Sequence, residues 1–202
     1  MANTQTQFGF RHIGFLSGYA PDYQLNNYQI ASTNATKIGY GDPVMKNGTT
    51  SSFIVQATAA ATATQPIVGI FQGCYYVPSG GGVAPVWSNW WPGAANANAT
   101  AYVIDAPGAL FLAAALNTAI SSGAIGNTIN FSIGTPSTVG AGLSTATLDQ
   151  STLSAPGTTA SNLPFKVVSL YNGVGNGSDP TTSYNWAVVT FNFQQWKTVG
   201  GF

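Results

Sequence analysis

The sequence predicts an all-β fold, an antiparallel barrel or jelly-roll-like sandwich with long loops and an extended N-terminal arm. Three observations carry this. Short runs of β-branched and aromatic residues alternate with polar neighbours at period two. Turn pairs such as Asp42-Pro43 and Asn47-Gly48 separate the runs, and two strong strand patterns, 164–173 and 184–196, close the chain around a Gly-Asn-Gly-Ser-Asp-Pro connection at 175–180. About eight to ten strands with non-local pairing follow most simply. Nothing repeats at a fixed period, which argues against a solenoid.

Residues 1–27 hold Gln, Asn and Gly around isolated aromatics at Phe8, Phe10, Phe15, Tyr19 and Tyr23. This reads as an extended arm lying on a surface, or as an edge strand folded back on the body. A single β-rich domain is expected over 28–202. Tyr28 and Ile30 begin its strand pattern, Val44 and Met45 follow the Asp42-Pro43 turn, and Phe53, Val55 and Ala57 alternate again after Asn47-Gly48. Ala59 to Thr64 is alanine-rich, but its threonines and the following Pro66 favour a loop or a strand continuation over a helix. Ile67 to Val77 is β-branched and aromatic, with Gly69 and Gly73 permitting bends or close backbone approach.

A long loop is expected over 78–100. Gly80 to Gly82 loosen it, Pro85 and Pro92 stiffen it, and Trp87, Trp90 and Trp91 load it with apolar surface that packs on its own body or anchors a partner. Beyond it, Tyr102–Ile104 and Leu110–Ala114 read as two strands across a turn at Asp105 to Gly108. A helix through Leu110 to Ala119 competes, because alanine and leucine dominate there. A strand follows within 125–133. A second long polar loop is expected over 134–162, tied down only by Val139, Leu143, Leu148 and Leu153.

The composition excludes several functions. The 202 residues include 5 Lys plus Arg against 5 Asp and no Glu, so that 5% are charged where about 25% is usual. With 45% hydrophobic residues the chain is nonetheless a folding one. Nucleic acid is not an expected partner, since Arg11, Lys37, Lys46, Lys166 and Lys197 are scattered and phosphate binding needs clusters. The longest apolar run, Ala106 to Leu116, is broken by Gly108 and falls short of the roughly 20 residues that span a bilayer, so no membrane partner is expected. The N-terminus lacks a basic segment followed by an apolar one, so synthesis in a cytoplasm without a secretory signal is expected. A neutral surface of Ser, Thr, Asn, Gln and Gly repels its neighbours little, which suits a packed assembly.

Chemistry is thinly supplied. Asp22, Asp42, Asp105, Asp149 and Asp179 fall singly, and those near proline read as turn initiators whose carboxylates cap backbone amides. Pairing two of them, Asp42 with Asp105, would be needed for glycosidase-type acid–base work, and spacing supplies no reason for it. One His, His12, and one Cys, Cys74, cannot make a structural zinc set, and Cys74 reads as a buried small hydrophobe. No lysine or serine follows the glycine stretches in phosphate-loop spacing. No catalytic residue, cofactor or metal is therefore expected, and the chain reads as no enzyme. A glycan-binding module using Trp87, Trp90, Trp91 and the abundant Asn is the competing function.

Several motifs together resemble a known family. They are the Ala-Asn-rich opening before Phe8-Gly9-Phe10-Arg11, the 41–48 stretch with Gly41-Asp42-Pro43-Val44 before a strand, the Ile67 to Val77 run with Val68-Gly69-Ile70-Phe71, the Tyr102 to Pro107 segment leading to Phe111, and the glycine-bearing segment with Leu143 and Leu148 before the closing strand pair. The chain is similar over most of its length to head decoration, or cement, proteins of tailed bacteriophages with podovirus-like capsids. The tryptophan loop at 87–91 lies outside that pattern. The resemblance implies a structural protein on the outer surface of an icosahedral virion, made in the bacterial host cytoplasm. It would bind the major capsid protein, bridge neighbouring capsomers and hold them against internal pressure, with self-association at a local two-fold or three-fold axis. On that footing Phe8, Phe10, Trp87, Trp90 and Trp91 are the expected partner anchors. A tail or fibre component is the structural alternative.

Overall fold

A computed structural model describes residues 2–21, 24–48, 51–59, 65–80, 83–95, 97–136, 142–155 and 162–197. Asp22, Tyr23, Ala60 to Thr64 and Val139, which figure in the expectations above, lie outside these. No helix of the described residues is long and apolar enough to cross a membrane.

The described chain forms twelve strands: β1 Arg11–Phe15, β2 Asn26–Ile30, β3 Pro43–Lys46, β4 Ile54–Gln56, β5 Ile67–Tyr76, β6 Val86–Ser88, β7 Ala99–Ile104, β8 Ala109–Ala114, β9 Thr128–Ser132, β10 Thr147–Ser154, β11 Phe165–Leu170 and β12 Trp186–Phe191. They make two antiparallel six-stranded sheets. The first has the order β1-β8-β12-β11-β9-β10, and the second has the order β2-β7-β5-β3-β4 with β6 added on β5. The all-β class and the presence of long loops are thus as expected, but the loop expected over 78–100 is corrected by β6 and by the start of β7, which pair with β5. Isolated bridges link strands that are not neighbours within a sheet: Ala115, just past β8, bridges Leu148 of β10 in the first, and Gln29 of β2 bridges Phe53, just before β4, in the second.

The step Asp105 to Gly108 is the passage between sheets. β7 and β8 flank it, yet they pair with β5 and β12 rather than with each other. Between β1 and β12, the backbone of β8 finds its partners across strands on both sides. That pairing overrides the helical preference of its alanines, and burial alternates accordingly, with Ala109, Phe111 and Ala113 inward.

Two apolar clusters follow from the alternation of side chains across each strand. The larger gathers Phe10, Phe111, Phe131, Phe165 and Phe191 with Ile129, Leu148 and Val189, and takes Ile67, Ile70, Ile104 and Met45 from the second sheet. The smaller lies on the other face of the second sheet, where Ile30, Val44, Val68, Phe71, Cys74, Ala101 and Val103 surround Ile38 and Trp91. Because β5 serves both clusters, its residues from Ile67 to Cys74 are all buried, Gln72 among them. At Gly69 a Cβ would lie 2.3 Å from the Ile104 carbonyl oxygen, so only glycine lets β5 and β7 approach there.

The N-terminal residues take the folded-back form. β1 is the edge strand of the first sheet beside β8. Ahead of it the Phe10 amide donates to the Gly41 carbonyl at 2.9 Å. Asn3 and Asn176 then clamp the first residues onto the β11–β12 connection. The Gly177 amide donates to Asn3 Oδ1 at 2.9 Å, and the Thr4 amide donates to Asn176 Oδ1 at 2.7 Å. The expected loop over 134–162 is corrected by β10, an edge strand whose Thr147 and Leu148 enter the core while its remainder stays polar and half-buried or exposed.

Candidate interaction surface

The five expected anchors separate into two kinds. Phe10 is fully buried, stacked on Phe165 at 4.3 Å and edge-on to Phe131 at 6.4 Å. Phe8 is buried edge-on to Trp186 at 5.0 Å. Trp91 is fully buried in the smaller cluster, where its indole N–H donates to the Asn34 carbonyl at 3.0 Å. These three are buried rather than exposed: Phe10 and Trp91 lie within the two apolar clusters and Phe8 packs against Trp186. Trp90 is half-buried, lying over Gly142 with the Lys37 ammonium 5.7 Å from its ring. Trp87 is 49% exposed.

Trp87 does not stand alone. Register places it opposite Tyr75, with Tyr102 opposite Gly73 on the neighbouring strand. Ring centroids lie 5.1 Å apart for Tyr75–Trp87, 5.4 Å for Trp87–Tyr102 and 6.0 Å for Tyr75–Tyr102, all edge-on. Such contacts are favourable beyond simple burial and fix the rings before any partner arrives. β5 bulges between Phe71 and Gly73, and Gly73 has a φ of +141°. A Cβ there would meet Trp87 Cζ2 at 2.6 Å, so the glycine makes the recess that the indole fills.

The platform lies on the face of the second sheet that carries Ile104, two residues along β7 from Tyr102. Its cross-strand rows run Gln29, Thr100, Tyr75, Trp87 and Asn27, Tyr102, Gly73, with no charged residue in either. Sequence pattern alone singled out Trp87 but missed Tyr75 and Tyr102. The Gly-Cys-Tyr-Tyr run and the period of β7 marked each strand, while their register is a tertiary fact.

The aspartates are dispersed. Asp42 is fully buried and accepts from the Gly39 amide and the Gln56 side-chain amide, each at 2.7 Å. Burial raises its pKa to about 6, against the opposing pull of hydrogen bonding from Ser144, Gly39 and Gln56. Asp149 and Asp179 accept from the Ser151 and Thr181 amides and hydroxyls, as turn initiators should. The Thr181 hydroxyl and amide hold Asp179 below the usual carboxylate range.

Asp105 differs from the expected amide cap. It accepts from three side chains: Asn26 at 2.7 Å, Tyr28 at 2.5 Å and Trp196 at 3.1 Å. Burial first, then the bond to Asp105, raises the Tyr28 phenol above its ordinary range. Asp42 and Asp105 share none of these partners. Cys74 is buried, and burial pushes its thiol up to about 12. No group of three or more His, Cys, Asp or Glu that could hold a metal occurs among the described residues.

Comparison with models of known families, with curated proteins and with solved structures gives no match.

Proposed function

We propose that this chain is a capsid decoration protein, bound in many copies to the outer surface of a tailed-phage shell, where it bridges neighbouring major capsid proteins. The observation that carries this reading is the pre-set Tyr75–Trp87–Tyr102 platform on a surface almost without charge. Aromatic residues held rigidly in a neutral setting are what protein–protein anchors are built from, and their contacts resist salt.

The motifs behind the family resemblance form part of the frame of the body. The Gly41 amide donates to the Phe71 carbonyl, and the Phe71 amide donates to the Asp42 carbonyl, so two of those motifs brace each other inside the body. A third, Asp105 to Pro107, is the passage between sheets. Of the platform residues, Trp87 lies outside all of them, while Tyr75 and Tyr102 stand within the Ile67 to Val77 and Tyr102 to Pro107 motifs.

Magnitudes favour repeated contact. Tyr75 is 45% and Trp87 49% exposed, leaving roughly 200 Å² of ring surface to cover. At about 25 cal/mol per Å² that contributes about 5 kcal/mol, near the low end of the cost of association. One platform alone binds weakly. Two or more contacts per copy, or self-association at a local two-fold or three-fold axis, supply the avidity that holds a decoration protein in place.

The test is cryo-electron microscopy of purified particles carrying this protein, reconstructed without assuming its location. Density on the outer shell between capsomers, with the platform at the contact, is the expected result. Density confined to the tail, or none on the particle, overturns the proposal.

A further inference from the structure

A second site, away from the platform, combines a cavity, a buried carboxylate and an exposed indole. The cavity, about 300 Å³, is lined by Gln24, Asn26, Asp105, Ala106, Pro107 and Trp196. Asp105 sits just past the end of β7 and is only 4% exposed. Asn26 opens β2 alongside, paired with Val103. The turn bearing Trp196 is fixed by Gln194, whose side-chain amide donates to the Val68 and Asp105 carbonyls, each at 2.9 Å.

Trp196 is unusual. Its one polar atom, the indole N–H, is spent on Asp105 and Tyr28, at 3.1 and 3.3 Å, yet 56% of the residue faces solvent. A large ring is thus tethered by its N–H and oriented while much of its apolar surface stays uncovered, beside an open cavity. Surface of this kind favours a ligand that presents its own apolar face.

The polar groups define what else that ligand carries. An ionised carboxylate has about four acceptor positions. Asn26, Tyr28 and Trp196 use three, which leaves about one acceptor position for a further donor. Asn26 spends one amide hydrogen on Asp105, and its remaining amide groups have no partner among the described residues. The lining includes no Lys or Arg, and the carboxylate repels anions. An organic cation prefers a bare carboxylate or several ring faces. Here the carboxylate is already shared among three donors and one ring is offered.

We propose that this cavity binds a neutral hexopyranose unit, its C–H face stacked on Trp196 and its hydroxyls bonded to Asp105 and Asn26. The volume, at the lower end of ligand pockets, suits one sugar ring of a longer chain. The site does not depend on the capsid reading, because it lies outside the platform and uses none of its residues.

The experiment is isothermal titration of the full chain with neutral hexasaccharides of glucose, galactose, mannose and N-acetylglucosamine, and separately with choline, each up to about 10 mM. Saturable binding of at least one saccharide is expected. Trp196→Ala and Asn26→Ala should each weaken it tenfold or more with the circular dichroism spectrum of the folded chain retained, while Trp87→Ala leaves it intact. The inference is overturned if no saccharide binds, if binding survives both cavity substitutions, if Trp87→Ala abolishes it, or if choline binds and the saccharides do not.

Discussion

Gly73 and Trp87 share one recess: the Cβ that residue 73 lacks would lie 2.6 Å from the indole Cζ2, and the φ of +141° at Gly73 disfavours any side chain there. The exposed anchor is therefore positioned from beneath by an absence of atoms. Gly73→Ala should expel the ring and cost roughly 1–3 kcal/mol in stability. Trp87→Ala should cost less than about 1 kcal/mol, because the ring is half exposed, yet reduce binding to undecorated shells at least tenfold. Co-sedimentation with shells, beside urea denaturation of the free protein, separates the two effects. Equal shell binding by wild type and Trp87→Ala would remove the platform from the contact.

Phe10 and Trp91 should behave as core. Phe10→Ala opens a hole between Phe131 and Phe165, and Trp91→Ala opens one in the smaller cluster. Each is expected to cost about 3–5 kcal/mol by denaturant titration. A loss of shell binding with stability intact would instead restore them as surface anchors.

Asp42 makes stability depend on pH in an unusual direction. Its folded pKa of about 6 lies above the ordinary 3.8, so the native state holds the proton more tightly than the unfolded chain. The resulting stabilisation is fully present below about pH 4 and is lost as pH rises through about 6. The shift corresponds to about 3 kcal/mol at most. Exposed Asp179, whose pKa is lowered, acts in the opposite sense. Melting temperature is expected to rise on acidification from pH 7 to 4.5, and Asp42→Asn should flatten that profile. A wild-type profile that falls over this range would contradict the assignment.

Cys74 should be chemically silent. With its thiol pushed up to about 12 and its side chain buried, it carries negligible thiolate at neutral pH. A colorimetric disulfide reagent is expected to titrate one thiol in denaturant and none in the native protein over the same minutes. Rapid native labelling would show that β5 opens.

The Asn3–Asn176 clamp should hold the first residues on the body. Asn176→Ala removes its bonds to the Thr4 amide and carbonyl and to the Thr6 hydroxyl. Amide exchange in residues 3–6 is expected to accelerate roughly tenfold or more, while that of β8 and β12 stays unchanged. Unaltered exchange at the N-terminus would mean that Asn3 alone suffices.

Much of this molecule is written locally. Period-two alternation in Phe53 to Ala57 and 127–133, the Asp-Pro and Asn-Gly turns and the scarcity of charge already determine an all-β, neutral body, because strand alternation and turn geometry depend on neighbouring residues. The burial of Cys74 and the capping roles of Asp42 and Asp179 were legible for the same reason.

What the tertiary structure alone decided is which side chains meet. Short strands such as β1 and β6 have too few residues to show a period, and β10 reads as loop because its solvent-facing half is polar. The Ala-Leu stretch of β8 is a strand only because β1 and β12 flank it. Spacing does not reveal that Trp91 turns inward while Trp87, four residues earlier, turns outward beside Tyr75 and Tyr102. Nor does it reveal that Asn26, Asp105 and Trp196 converge on one cavity. Register and sheet packing bring together residues tens of positions apart, and the free energy that selects them is the burial of two shared cores, a property of the whole chain.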